Sequence, residues 1–155
     1  MFGMTLNRTA AVKAKPEYKF DENSATTKKP LILLVDDNDF NLLIAGTYLE
    51  NFGYNYDISK SGHDALEKIR QKEYSAILMD IQMPIMDGME TTQLIRKYEQ
   101  STGRDRQPVI ALTAHPLSGD KKTCQECGMD EYISKPFNPN HLHELLEKFM
   151  IKQDA

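Results

Sequence analysis

The sequence contains no apolar run approaching the ~20 residues that a membrane-spanning helix needs; its apolar stretches are short and bounded. Its first residues lack the apolar core of a secretory signal, so neither insertion nor secretion is read from them. Lysines and arginines do not cluster with interleaved aromatics, and the net charge is only −4, so a direct nucleic-acid surface is not expected. Cysteines are scarce as well: two, Cys124 and Cys127, in a C-x-x-C spacing. A structural zinc site takes four ligands, and no second pair sits at metal spacing; His115, His141 and His143 would have to be recruited by the fold. The ordinary alternative is two reduced thiols on a helix. What is present is 155 residues, enough for one domain to bury its own core.

The stretch ending at Pro30 has weak periodicity and a polar Ser/Thr/Lys end. Residues 1–29 are therefore expected to form a flexible arm or linker, 30–152 the folded domain and 153–155 a tail. From Leu31 the pattern changes: "LILLV" is a continuous apolar run, as expected of a strand buried on both faces. Asn38 or Asp39 can cap a helix carrying Leu42, Leu43, Ala45 and Leu49, which Gly53 stops. "YNYDIS" predicts a second strand, and Ser61-Gly62 opens a helix with Ala65, Leu66 and Ile69 on one stripe. "AILM" predicts a third strand and Met89 to Glu99 a third helix. "PVIAL", a helix around Ser118 to Cys127, "EYIS" and a last helix with Leu142, Leu145, Leu146 and Phe149 complete the chain. Five such alternations specify an α/β fold, a parallel five-stranded sheet with helices on both faces. Sheets of this kind bind ligands outside the carboxyl ends of their strands.

The residues at those ends carry chemistry. Strand one ends in Asp36-Asp37, strand three in Asp80, strand four in Thr113 and strand five in Lys135. Each alone has an ordinary role: a helix cap, a β-former, a solvated charge. Together, three converging carboxylates repel one another unless a cation sits among them, and all-oxygen donors suit Mg²⁺. Lys135 adds a compact positive charge and Thr113 a hydroxyl donor, so the constellation can hold a phosphoryl group.

The stretch from about Lys29 to Met150 resembles the receiver domains of two-component response regulators, above all those attached to hybrid sensor histidine kinases. The matching text is "ILLVDDNDFN", "ILMDIQMPIMDGMETTQLIR", "PVIALTAH" and "GMDEYISKPF", in family order and at family distances. The resemblance implies a flavodoxin-like (βα)5 doubly wound sheet with strand order 2-1-3-4-5. It implies that Asp80 accepts a phosphoryl group from a phosphohistidine on a partner, either a histidine kinase dimerisation domain or a histidine phosphotransfer protein. Asp37, Asp80 and the Gln82 backbone carbonyl would coordinate Mg²⁺, with Asp36 acting largely through water. Lys135 would pair with Asp80 and then with the phosphoryl oxygens. Thr113 would turn toward the phosphoryl group, small Ala114 would leave room for it, and Tyr132 is similar to the family's switch aromatic. Gln82 and His115 would tune how long the acyl phosphate lasts, and Lys135-Pro136 resembles a family cis peptide. Ser59 replaces the usual alanine, which touches packing and leaves the pocket intact.

On this reading the chain is a signalling module that catalyses its own phosphorylation and dephosphorylation, not an enzyme. It is expected in the cytoplasm, alone or tethered to a membrane-bound hybrid kinase, with residues 1–29 as the tether in the second case. Only "IKQDA" follows Met150, so no DNA-binding or second-messenger output is expected of the chain itself. Two other readings compete. Asp37-x-Asp39 after an apolar strand resembles the nucleophile motif of haloacid-dehalogenase-type phosphatases, but Leu42 does not fit it, and cap insertions and a later acidic metal motif are lacking. A flavin-binding electron carrier would want a Ser/Thr/Gly-rich phosphate loop where "DDNDFN" stands.

Overall fold

The computed structural model of the protein describes residues 28–114 and 118–153. His115 and nearly all of the expected 1–29 arm lie outside the described residues, as do the last two residues of the expected tail. Strands β1 (Leu31–Val35), β2 (Asn55–Ser59), β3 (Ala76–Asp80), β4 (Val109–Thr113) and β5 (Glu131–Ser134) alternate with five helices. These are α1 (Asp39–Asn51), α2 (Gly62–Gln71), α3 (Gly88–Thr102), α4 (Ser118–Glu126) and α5 (Pro139–Gln153). The strands form one sheet in the order β2-β1-β3-β4-β5, and every neighbouring pair is parallel.

The apolar strands are explained by their two-sided burial. Leu33 and Val35 of β1 pack with Ala65 and Ile69 of α2 and Ile95 of α3. Ile32 and Leu34, pointing the other way, meet Leu42, Ala45 and Leu49 of α1 and Leu142 and Leu146 of α5. A strand with helices on both faces has no side to leave polar. Each such aliphatic side chain contributes about 1.5–3 kcal/mol on leaving water. Leu43, expected on the α1 stripe, is instead 67% exposed: it is one residue round the helix from Leu42 and turns away from the sheet.

Caps fix where the helices begin. The Asn38 side chain accepts from the Phe40 and Asn41 N–H groups, Ser61 from Asp64 N–H and Asp87 from Glu90 N–H. α3 outruns the expected Met89–Glu99 span because Asp87 caps it early and Gly103, at φ 70°, ends it late. Both cysteines are free and buried; Cys127 Sγ donates to the Cys124 carbonyl at 3.0 Å, and both pack in the core beside Met129. They act there as small apolar side chains. His143 lies against the Phe52 ring at 4.4 Å, and His141 is exposed.

One polar cluster ties β2 to α2 and β3. Asp57 accepts from Lys72 Nζ at 2.6 Å and from the Tyr74 hydroxyl at 2.8 Å. Partial burial works against ionising Asp57, but these hydrogen bonds prevail and hold its carboxyl below the ordinary range. Its ionised form therefore stabilises the fold above the unfolded pKa of about 3.9, and that stability is lost as pH falls through the lower folded value. Asp57→Asn should be less stable than wild type at pH 6 and should lose this acid-sensitive component. Urea unfolding across pH 3 to 6 tests it; two curves running parallel to the lowest pH would contradict it.

Candidate functional site

Because all five strands run the same way, their carboxyl ends lie on one edge of the sheet. Asp36 leaves β1 with its N–H donating to the Ser59 carbonyl at 3.1 Å, so the strand's pairing continues into the site. Asp80 closes β3 opposite Leu112, and Thr113, the next residue of β4, is buried beside it. Lys135 follows β5, its N–H donating to the Thr113 carbonyl at 2.7 Å, and the Lys135–Pro136 peptide is cis.

From there the lysine reaches back across β4. Its Nζ donates to Asp36 Oδ2 at 2.7 Å and to Asp80 Oδ1 at 3.0 Å. The end of β3, where Asp80 sits, is two strand spacings or roughly 10 Å away, and Asp36 beyond it meets the same Nζ, a reach that suits a long, flexible stem. Asp36 and Asp80 are buried while Asp37 is exposed, and one carboxylate oxygen from each lies within 4.8 Å of the others. Among the described residues this is the one group of three or more side chains placed to hold a metal ion. Burial holds the Asp80 carboxyl above its ordinary range, and the charge of Asp36 pushes the same way against the Lys135 ammonium and the Gln82 backbone.

The turn after β3 folds back onto the strand end. Gly88 N–H donates to the Ile81 carbonyl at 2.9 Å, and a Cβ on Gly88 would stand 2.1 Å from the Asp80 carbonyl oxygen. Only glycine permits that approach. Ile85, at φ 71° and 95% exposed, holds a conformation that costs an isoleucine about 1 kcal/mol or more. Gln82 and Ala114 are exposed at the rim. Tyr132 is half-buried on β5, with Lys121 Nζ 5.6 Å from its ring centre.

The sequence reading overlooked Asn41. Its side-chain amide donates to Asp36 Oδ2 at 3.1 Å and more weakly to Oδ1 at 3.4 Å, while Asn38 N–H donates to Oδ1 at 2.9 Å. With Lys135 on Oδ2, the acceptor capacity of Asp36 is largely taken up inside the protein. That leaves Asp37 and Asp80 with oxygens open to a cation. An asparagine in the first turn of a helix gives no sequence signal of such a contact beyond standing five residues from the aspartate.

The family model for the response regulator receiver domain matches residues 32–147. The hybrid signal transduction histidine kinase M of Dictyostelium discoideum is 42% identical over 125 residues, covering 79% of this chain and 5% of that protein. The receiver domain of sensor histidine kinase PA1611 from Pseudomonas aeruginosa, solved with magnesium coordinated in its active-site cleft, superposes with a TM-score of 0.71 at 36% identity, covering 79% of this chain and 98% of that one. The receiver domain of Saccharomyces cerevisiae Ssk1, solved with the phosphotransfer protein Ypd1, gives 0.77 at 27% identity, covering 84% and 95%. The chain spans between 5% and 17% of the length of the first curated relatives it matches. With the observed strand order and the convergent carboxyl edge, these matches show that the chain belongs to the response regulator receiver domain family.

Proposed function

We propose that Asp80 is the phosphoacceptor of this receiver, taking a phosphoryl group from a phosphohistidine of a histidine kinase or histidine phosphotransfer protein. One observation carries the reading: a buried carboxylate at the sheet's carboxyl edge, bridged by Lys135 to Asp36, with Asp37 close enough to share a cation. An Asp80 oxygen attacks phosphorus, the P–N bond to the partner's imidazole breaks, and the imidazole leaves with a proton from solvent. The product is an acyl phosphate, whose high transfer potential allows onward transfer or hydrolysis. Positioning and charge neutralisation supply most of the catalysis in phosphoryl transfer.

The donor set suits Mg²⁺: hard oxygens from Asp37 and Asp80 would hold the ion, with the Gln82 carbonyl as a further ligand and Asp36 acting largely through water. When bound, the ion neutralises phosphoryl oxygens. Lys135 moves onto another phosphoryl oxygen, Thr113 donates its hydroxyl to a third, and exposed Ala114 leaves the approach open. Tyr132 then turns inward toward the space that Thr113 leaves, biasing the surface formed by α4, β5 and α5. Gln82 and His115 set the lifetime of the acyl phosphate. The module forms and hydrolyses its own acyl phosphate, turns over no separate substrate and is placed, in this reading, in the cytoplasm. Among the described residues no helix is long and apolar enough to cross a membrane. Residues 30–152 are the receiver unit, and residues 1–29 are an arm or linker outside it.

The test is intact mass after incubation with acetyl phosphate. A labile adduct of one phosphate is expected on wild type with Mg²⁺, and none without Mg²⁺ or on Asp80→Asn. An adduct that survives Asp80→Asn would move the nucleophile elsewhere, with Asp37 next in line.

A further inference from the structure

Asp36 is 1% exposed, and the lysine that neutralises it is the same lysine that pairs with Asp80. If Lys135 moves onto a phosphoryl group carried by Asp80, its contact with Asp36 is loosened or lost. A buried carboxylate left short of donors is costly, so that movement needs a second donor already in place. The donors other than Lys135 that face Asp36 are Asn38 N–H at 2.9 Å and the Asn41 amide at 3.1 and 3.4 Å. Among the described residues other than Lys135, only Asn41 reaches Oδ2, the oxygen that Lys135 holds.

The Asn41 side chain has no capping task to explain it. The Asn41 backbone N–H donates to Asn38 Oδ1 at 3.2 Å, and the cap of α1 is completed by Phe40 N–H on the same oxygen at 2.9 Å. Both donors to that cap are backbone groups, so the Asn41 amide is left for Asp36.

We infer that Asn41 is a positioning residue that keeps Asp36 hydrogen-bonded at Oδ2 while Lys135 transfers to the phosphoryl group on Asp80. The inference rests on Asp80 being the acceptor. Without the amide, Lys135 is the sole donor on that oxygen among the described residues and is held there. The consequence is selective: binding of a phosphoryl group draws on Lys135 and is weakened, while binding of Mg²⁺ alone does not and is left as it was.

The experiment compares wild type, Asn41→Leu and Asn41→Gln in the full chain. Calorimetry measures Mg²⁺ alone, and then beryllofluoride, which mimics a phosphoryl group on a carboxylate, at saturating Mg²⁺. Asn41→Leu, of similar volume and without a donor, should bind beryllofluoride about tenfold more weakly, the scale of one charge-assisted hydrogen bond, with Mg²⁺ affinity within about twofold of wild type. Asn41→Gln, which keeps the amide, should fall nearer wild type. Unchanged beryllofluoride affinity in Asn41→Leu would overturn the inference, as would an equal loss of Mg²⁺ affinity, or a glutamine variant no better than the leucine. Should Asn41→Leu not fold, Asn41→Ala, which also lacks a donor, is read by the same criteria. Wild type that binds no beryllofluoride and takes no phosphoryl group would defeat the acceptor assignment itself; wild type that does both, matched by Asn41→Leu, would defeat this inference alone.

Discussion

Lys135→Met should lose roughly 3 kcal/mol of folding stability at pH 7 without divalent cation, because breaking a buried ion pair from one side leaves charge uncompensated. Methionine fills most of the lysine stem, so lost packing is a minor part of the effect. Asp36 and Asp80 lose the ammonium that held both, at 2.7 and 3.0 Å, and face each other across the space it occupied. Burial and the Asp36 charge already hold the Asp80 carboxyl above its ordinary range, so it is the group that answers by taking a proton. An acid whose folded pKa is raised costs nothing below its unfolded value of about 3.9 and its full penalty above the folded value. The deficit of Lys135→Met should therefore shrink as pH is lowered toward 4. Mg²⁺ should recover part of it, since the clustered carboxylates exist only in the folded state and ligand binding to that state stabilises it. Asp80→Asn in the same background should recover more than half, because it removes the repulsion the lysine had masked. Urea unfolding of the four proteins of this cycle, with and without Mg²⁺, provides the check. A Mg²⁺-insensitive deficit, or strict additivity, would reduce Lys135 to a packing residue. Labelling by acetyl phosphate should meanwhile slow by about a hundredfold or more with the lysine gone.

The same lysine shows why so much of the site was legible in the sequence. Parallel strands with helices on both faces read as bounded apolar runs, and the residue that ends each run is thereby placed at the ligand edge. Asp36, Asp80, Thr113 and Lys135 could be grouped before any coordinates because the sheet's geometry groups them. The pairing of Lys135 with Asp80 was implied by the resemblance, but its second contact, to Asp36, was not legible, since that depends on rotamers and on which helix turn overhangs the edge. Asn41 reads as one more polar residue in a first helical turn, yet it bonds to Asp36. Leu43 reads as core because it is apolar and adjoins Leu42, yet it faces solvent. Arg96 and Glu99, two charged residues three apart on α3, were not singled out in the sequence, yet they are only 9% and 5% exposed. Arg96 is covered by the turn through Gly128 and Glu99 is bonded to Arg96 and the Gln107 N–H, and no local pattern announces either.

That pair sets the second large effect, at the opposite edge of the sheet, where β4 and β5 begin. Arg96 donates to Glu99 from Nη1 at 2.9 Å, to the Gln107 carbonyl at 2.8 Å, to Asp130 from Nη2 at 2.9 Å and to the Gly128 carbonyl from Nε at 3.0 Å. Glu99 accepts from Gln107 N–H and Asp130 from Val109 N–H, each at 2.8 Å, so one guanidinium organises the entry to both strands. Arg96→Met should destabilise by about 3–5 kcal/mol, since Glu99 keeps its burial and loses its cation. Asp130 suffers less, because Arg106 still donates to its other oxygen at 3.0 and 3.1 Å. Arg96→Met with Glu99→Leu should regain part of the loss, though not all, because Gln107 N–H then has no acceptor. The clamp lies a full strand length from Asp80, so the fraction of Arg96→Met that remains folded should label from acetyl phosphate at the wild-type rate. Denaturant unfolding gives the first quantity and labelling normalised to folded protein the second. A normalised rate that fell with stability would mean that the start of β5 is coupled to Lys135 at its end, and that the two edges of the sheet act as one unit.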